Sequence, residues 1–215
     1  MAHDHSEHHT GELPPGHFSY MEPEQAYHAS KLGMWFFLVT EVLLFGGLFA
    51  AFALYRWKYL HDFNQNAHLL NWKLGFTNTL ILLTSSYTMV RAVDAAQHGL
   101  NKKVQFWLIW TIVFGLGFFA VKGVEYTSKL SHHIYPSSDI FFGLYYVMTG
   151  IHAIHVLIGL FLMIWLLMFA KKDMFSPTFY TPVEVCGLYW HLVDLIWIFL
   201  FPVLYLMGGI GAGAH

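Results

Sequence analysis

EVCGLYWHLVDLIWIFLFPVLY, residues 184–205, decides how this chain is read. Nearly every side chain in it is apolar, yet Glu184, His191 and Asp194 are groups that hydrocarbon rejects. On a helix these positions fall at i, i+7 and i+10, along one face. An acid or a histidine costs a few kcal/mol when it meets lipid. The stripe is therefore expected to face protein, polar headgroups or water, and the rest of the chain to supply the bundle around it.

The surrounding sequence supports a bilayer solvent. Only 11% of the 215 residues are charged and 56% are hydrophobic, against roughly 25% charged in soluble domains. Residues 74–90, 104–121 and 140–170 carry no Asp, Glu, Lys or Arg; residues 32–55 carry only Glu41, and 185–215 only Asp194. A spanning helix needs about 20 apolar residues, and five such segments fit. They are apolar nearly all round, where soluble helices show a polar face. The fold class is all-α, a polytopic bundle of five transmembrane helices. A net charge of −2 gives no basic surface for nucleic acid. The single cysteine, Cys186, sits inside a span and reads as a small buried residue.

Three regions follow. Residues 1–29 form a polar, His-rich tail in which Pro14, Pro15 and Pro23 break any helix. No cleavable signal peptide is evident there. His3, His5, His8 and His9 have the short spacing of a metal tract but read better as a solvated leader. Residues 30–206 form the membrane domain, and 207–215 a Gly/Ala tail. Span 1 covers 32–55, with Glu41 near its middle and no Lys or Arg to neutralise it. Gly46, Gly47, Ala50, Ala51 and Ala53 offer the small-residue spacing that lets helices approach. Trp57, between Arg56 and Lys58, marks an interface. Span 2 covers 74–93, and its Asn78, Thr84, Ser85, Ser86 and Thr88 read as packing groups. Span 3 covers 104–124, with Lys122 expected to snorkel from its end. The adjacent His132 and His133 follow in a loop. Span 4 covers 139–170, about 45 Å at 1.5 Å per residue, so it tilts or projects beyond a core of about 30 Å. Span 5 opens at Pro182 and is expected to kink at Pro202. The lysine-rich loops after spans 2 and 4 favour a cytoplasmic N-terminus and an outer C-terminus.

The intramembrane polar residues admit three readings. His152 and His155 share a face of span 4 at i, i+3, and with His191 could hold one bis-His haem between two helices. Glu41, Glu184 and Asp194 could form a proton or ion pathway. Alternatively, all these groups pair with one another or hold polar lipid heads. Chemistry alone ranks the structural or lipid-binding reading first and haem last.

The motifs themselves carry a resemblance. Tyr189, Trp190, His191, Val193, Asp194 and Trp197, with Glu184 upstream, resemble the closing signature of cytochrome c oxidase subunit III. TGIHAIHVLIG (149–159), FFLVTEVLLFGGLFAAF (36–52), NTLILLTSSYT (78–88) and VEYTS (124–128) resemble that family's other motifs, in its order, one per span. The likeness covers nearly all of 30–206. Two departures stand out: the long form of the subunit has two further spans at its start, and Lys122 occupies the place of a Gln. The five-span form is similar to that of bacterial quinol oxidases and some bacterial cytochrome oxidases.

The resemblance implies an accessory subunit III of a bacterial haem-copper terminal oxidase, in a complex that reduces dioxygen and moves protons. It implies no catalytic residue, metal or cofactor on this chain, with haem and copper in partner subunits. The expected partners are subunits I and II and phospholipids held in a V-shaped cleft, with a larger respiratory supercomplex left open. The expected location is the bacterial cytoplasmic (inner) membrane. Glu41, His152, His155, Glu184, His191 and Asp194 are the intramembrane motif residues. Trp57, Glu125, Tyr126, Trp190 and Trp197 are the candidate lipid-cleft or loop contacts. A cytochrome b-like redox subunit and a nitric oxide reductase-associated homologue are the alternatives.

Overall fold

The computed structural model describes residues 23–67, 70–131 and 139–206. These form six α-helices: α1 (Pro23–Lys58), α2 (Leu60–Ala67), α3 (Trp72–Gln97), α4 (Asn101–Ser131), α5 (Ile140–Lys171) and α6 (Thr181–Phe201). A π-helical turn, Pro202–Leu206, ends the described chain. The His-rich residues His3, His5, His8 and His9, the His132–His133 pair and the Gly/Ala tail lie outside the described residues. Helix α1 begins at Pro23, inside the stretch read as a tail. Proline suits a first turn, where its missing N–H is needed by no earlier carbonyl.

Among the described residues four helices are long and apolar enough to cross a membrane: Tyr27–Lys58, Asn101–Lys129, Ile140–Lys171 and Thr181–Leu206. Helix α3 has 26 residues, about 39 Å at the helical rise. Its length suffices, but its hydroxyls and Asn78 dilute its apolar character. Part of that polar set faces protein, while Thr77 and Thr84 are exposed and bond their own helix's carbonyls. Ser85, Thr88 and Asn78 are buried, and Ser85 and Thr88 meet Thr111 of α4 at 3.4 Å and 2.9 Å.

Helices α3 and α4 are an antiparallel hairpin. Gly99 takes φ +68° just past the end of α3, so Leu100 N–H can reach back to the Ala95 carbonyl at 2.9 Å. A left-handed residue at this position is where glycine carries no Cβ penalty. Asn101 then ties the turn to the link between α5 and α6, donating to the Phe175 carbonyl at 2.9 Å. In that link Asp173 takes φ 52°, which a short polar side chain tolerates.

Helix α6 is the centre of the bundle. Its aromatic residues dock antiparallel onto α3: Trp190 Nε1–H donates to Ser85 Oγ at 3.0 Å and Trp197 Nε1–H to Thr79 Oγ1 at 3.2 Å. Trp190 also packs flat against glycines on two other helices. A Cβ on Gly159 of α5 would lie 2.6 Å from its ring, and one on Gly115 of α4 3.2 Å away. Glycine at these positions is a packing requirement, because the indole fills the space a side chain would take.

Two local expectations are corrected and a third is carried further. The small residues of α1 do not form a helix interface within this chain. A Cβ added to Gly46 or Gly47 meets nothing within 4 Å, and Ala50 and Ala53 are exposed. Lys122 does not snorkel; it is only 5% exposed, held inside the bundle by its partners. Pro202 does more than bend α6, since the helix widens there into the π turn that brings Tyr205 inward. A proline interrupts the regular hydrogen-bond ladder at such a point. Helix α2, not anticipated from sequence, is pinned by Phe63 edge-on to Phe52 and Phe141.

Candidate functional site

A cavity of about 460 Å³ opens between α1, α5 and α6. Its walls are Met34 and Phe37 of α1, Ile158, Leu162, Trp165 and Leu166 of α5, and Val185, Cys186 and Tyr189 of α6, among others. Only Glu41, His155 and the Tyr189 hydroxyl break this apolar lining. Apolar walls with a few polar groups are the usual makeup of a small-molecule site.

Glu41 and His155 face each other across the cavity. His155 Nδ1 lies 2.8 Å from the Ile151 carbonyl one turn earlier on α5, which directs Nε2 toward α1. There Nε2 lies 2.9 Å from Glu41 Oε2. That oxygen is off the ring N–H axis, so the approach is at ion-pair distance without the alignment of a hydrogen bond. Phe45 covers the imidazole edge-on at 5.3 Å. The partner the structure gives Glu41 is His155 of α5.

Glu184 lies at one end of the same cavity, beside the lining residues Pro182 and Val185. Lys31 Nζ reaches its Oε1 at 2.9 Å, and Tyr27 donates to its Oε2 at 3.3 Å. Lys31 also sits 4.5 Å above the Tyr27 ring. Two polar contacts therefore join the walls, one deep between α1 and α5 and one at the rim between α1 and α6.

The Glu184, His191 and Asp194 stripe does not act as one unit. Glu184 turns to α1. His191 Nδ1 meets Ser86 Oγ of α3 at 2.7 Å. Asp194 is 3% exposed, and no described residue forms an aligned hydrogen bond with its carboxyl. At i, i+3 His191 and Asp194 could bond each other or a neighbouring span; among the described residues they do not bond each other, and His191 bonds α3 instead. The two α5 histidines also part company, since His152 is sealed between Phe118 and Trp197 rather than facing the cavity. His152, His155 and His191 thus meet three different surroundings. Among the described residues no three His, Cys, Asp or Glu side chains gather as a metal group.

Glu125 and Tyr126 belong to a second polar cluster, at the end of the bundle where the π turn lies. Glu125 Oε1 accepts from Lys129 at 2.9 Å, Tyr145 at 2.9 Å and Tyr205 at 2.6 Å, and Oε2 accepts from Lys122 at 3.0 Å. Lys122 also donates to the Tyr205 hydroxyl at 2.8 Å and lies 4.6 Å from the Trp197 ring centroid. Tyr126 meets Thr149 Oγ1 at 2.6 Å. Sequence reasoning missed Lys122 and Lys129 as members. Their i, i+3 and i, i+4 relation to Glu125 was the available signal. Of the other candidates, Trp57 is exposed, while Trp190 and Trp197 are fully buried packing residues. None of Trp57, Glu125, Tyr126, Trp190 and Trp197 lines the cavity.

Comparison with known proteins fits this architecture. The sequence profile described as cytochrome c oxidase subunit III matches residues 20–209. Cytochrome c oxidase subunit 3 of Alkalihalophilus pseudofirmus is 36% identical over 190 residues, covering 86% of this chain and 92% of that one. Quinol oxidase subunit 3 of Bacillus subtilis is 33% identical over 183 residues, covering 82% and 86%. The probable cytochrome c oxidase subunit 3 of Nocardia farcinica is 33% identical over 175 residues, covering 81% and 86%.

Proposed function

Because the chain belongs to the cytochrome c oxidase subunit III family, we propose that it is the accessory, redox-inert subunit of a bacterial haem-copper terminal oxidase. Its partners in this reading are the catalytic subunit I and subunit II, which carry the haem and copper. Helix α3 serves as a fifth crossing, its Ser85, Ser86 and Thr88 turned to α4 and α6 and its exposed threonines bonded to their own helix's carbonyls. The chain lies in the cytoplasmic membrane with its N-terminus inside.

Its own task is to hold phospholipid beside subunit I. The observation that carries this is the cavity between α1, α5 and α6, with apolar walls and a Lys31–Tyr27–Glu184 rim. Acyl chain fits the walls, and the headgroup stays among the polar groups of the rim. The Glu41–His155 contact holds α1 against α5 and keeps the walls in register. Both relative types, cytochrome c oxidase and quinol oxidase, retain a subunit 3, so the role is independent of the electron donor.

The test is lipid retention. The oxidase containing Ile158→Trp and Leu162→Trp, which fill the cavity from α5, is purified beside the unaltered complex. Phospholipid surviving a detergent wash is then quantified by mass spectrometry. Loss of a tightly held phospholipid from the filled variant, with oxygen reduction retained, supports the reading. Unchanged lipid content overturns it.

A further inference from the structure

Three side chains deep in the bundle present polar atoms that meet no described partner: both amide atoms of Asn78, both ring nitrogens of His152 and both carboxyl oxygens of Asp194. Asn78 and His152 are fully buried and Asp194 is 3% exposed. They come from α3, α5 and α6. Trp197 relates their positions along the bundle. Its indole N–H bonds Thr79, the residue after Asn78. Its ring centroid lies 5.3 Å from that of His152. Asp194 sits one turn before it on α6, with the Ser86 hydroxyl beside its carboxyl but not in an aligned hydrogen bond; that hydroxyl also meets His191 Nδ1 at 2.7 Å. The rungs Trp197–Thr79 and His191–Ser86 thus bracket Asp194 from both sides.

A buried polar group left unpaired costs about 1–3 kcal/mol, and three of them on packed neighbouring helices cannot be ignored. The chemistry of the set selects what can satisfy it. Asn78 offers an N–H₂ donor and a carbonyl acceptor, and His152 a ring donor and a ring acceptor when neutral. A cation cannot serve the donors, an anion cannot serve the acceptors, and an apolar molecule serves neither. Water serves both, and a buried water makes about three such bonds. We infer that α3, α5 and α6 enclose a small cluster of water molecules around Trp197, bound by Asn78, His152 and Asp194. The site is separate from the cavity, whose wall includes none of these residues, and it does not depend on lipid occupying that cavity.

The cluster gives the bundle a wet layer in an otherwise apolar section. The His152 ring is closed off by Phe118 at 5.6 Å and by Trp197, so exchange with outside water is slow. The water bridges three side chains that do not bond one another directly.

Hydroxyl-radical footprinting by X-ray pulse tests this on the assembled complex in its own membrane, because radicals form from water where it is bound. Trp197 and Trp190 are equally buried, but Trp190 packs against glycines and has its N–H on Ser85. Oxidation of Trp197 at least roughly tenfold above Trp190 is the expected result, since only the former has a radical source beside it. Equal oxidation of the two, whether low or high, overturns the inference, because it means a dry layer or general opening of the bundle. The double variant Asn78→Leu, Asp194→Leu should bring Trp197 down to the level of Trp190. Unchanged labelling in that variant also overturns it, since the water would then belong to Lys122 on the other cluster. If the variant does not assemble, the comparison within the unaltered chain decides.

Discussion

Replacing Glu125 by Gln tests the charge arithmetic of the second cluster. Two lysines and one glutamate leave it with a formal charge of +1 behind side chains only 3–7% exposed. Glu125 is the acceptor on which Lys122, Lys129, Tyr145 and Tyr205 all converge. Glu125→Gln raises the buried charge to +2 and leaves both lysines without a counter-charge. Removing one member of a buried pair costs about 3–5 kcal/mol, because the other is left uncompensated. Lys122→Gln has the opposite effect on charge. The cluster becomes neutral, and Glu125 keeps Lys129 and both tyrosines. That change costs a hydrogen bond and the contact with the Trp197 face, about 1–3 kcal/mol together. Equilibrium unfolding of the chain in mixed micelles, followed by tryptophan fluorescence, compares the two. Glu125→Gln is expected to be the more destabilising by about 2 kcal/mol, the difference between those two ranges. A Lys122→Gln variant as damaging as Glu125→Gln, or more so, would refute the reasoning, for it would place the stability in packing around the lysine stem.

Four further outcomes are expected. Gly159→Ala places a Cβ 2.6 Å from the Trp190 ring and should cost about 1–3 kcal/mol by overpacking. Gly47→Ala, with nothing within 4 Å, should be neutral or gain helix propensity of up to about 1 kcal/mol in the same unfolding assay. Lys31→Glu sets like charges at the rim of the cavity. The thiol of Cys186, which lines the cavity and is 5% exposed, should then react faster with a lipid-soluble maleimide; an unchanged rate would mean the rim does not control entry. For orientation, a cysteine at Ala2 in a chain lacking Cys186 should resist an impermeant thiol reagent in intact cells and one at Ala214 should react, and the reverse pattern would invert the topology.

Apolar run length was enough to read the long helices, though not α2. The segments around 32–55, 104–124 and 139–170 appear as α1, α4 and α5 because an apolar stretch of that length with at most one charged residue is suited to a bilayer. The facing of each helix was far less legible. Helix α1 is apolar nearly all round, so its small residues looked like an interface although they face outward. The partner of Glu41 is a tertiary fact, since His155 lies on a helix more than a hundred residues later and both α3 and α5 offered acceptable groups. Lys122 at the end of an apolar run reads as an interface anchor. Only the π turn, which brings Tyr205 beside Glu125, makes burial the better outcome. The stripe on α6 was a correct reading of polarity and an incorrect reading of grouping, because α1 and α3 divide Glu184 from His191.

The most direct test of the central claim is the absorption spectrum of this chain after it is separated, under mild detergent, from the complex with which it purifies. The account predicts a haem-copper oxidase spectrum for the intact complex and no Soret band for the separated chain, with His152, His155 and His191 serving as structural groups. A Soret band that travels with the separated chain and disappears in His191→Ala would contradict it.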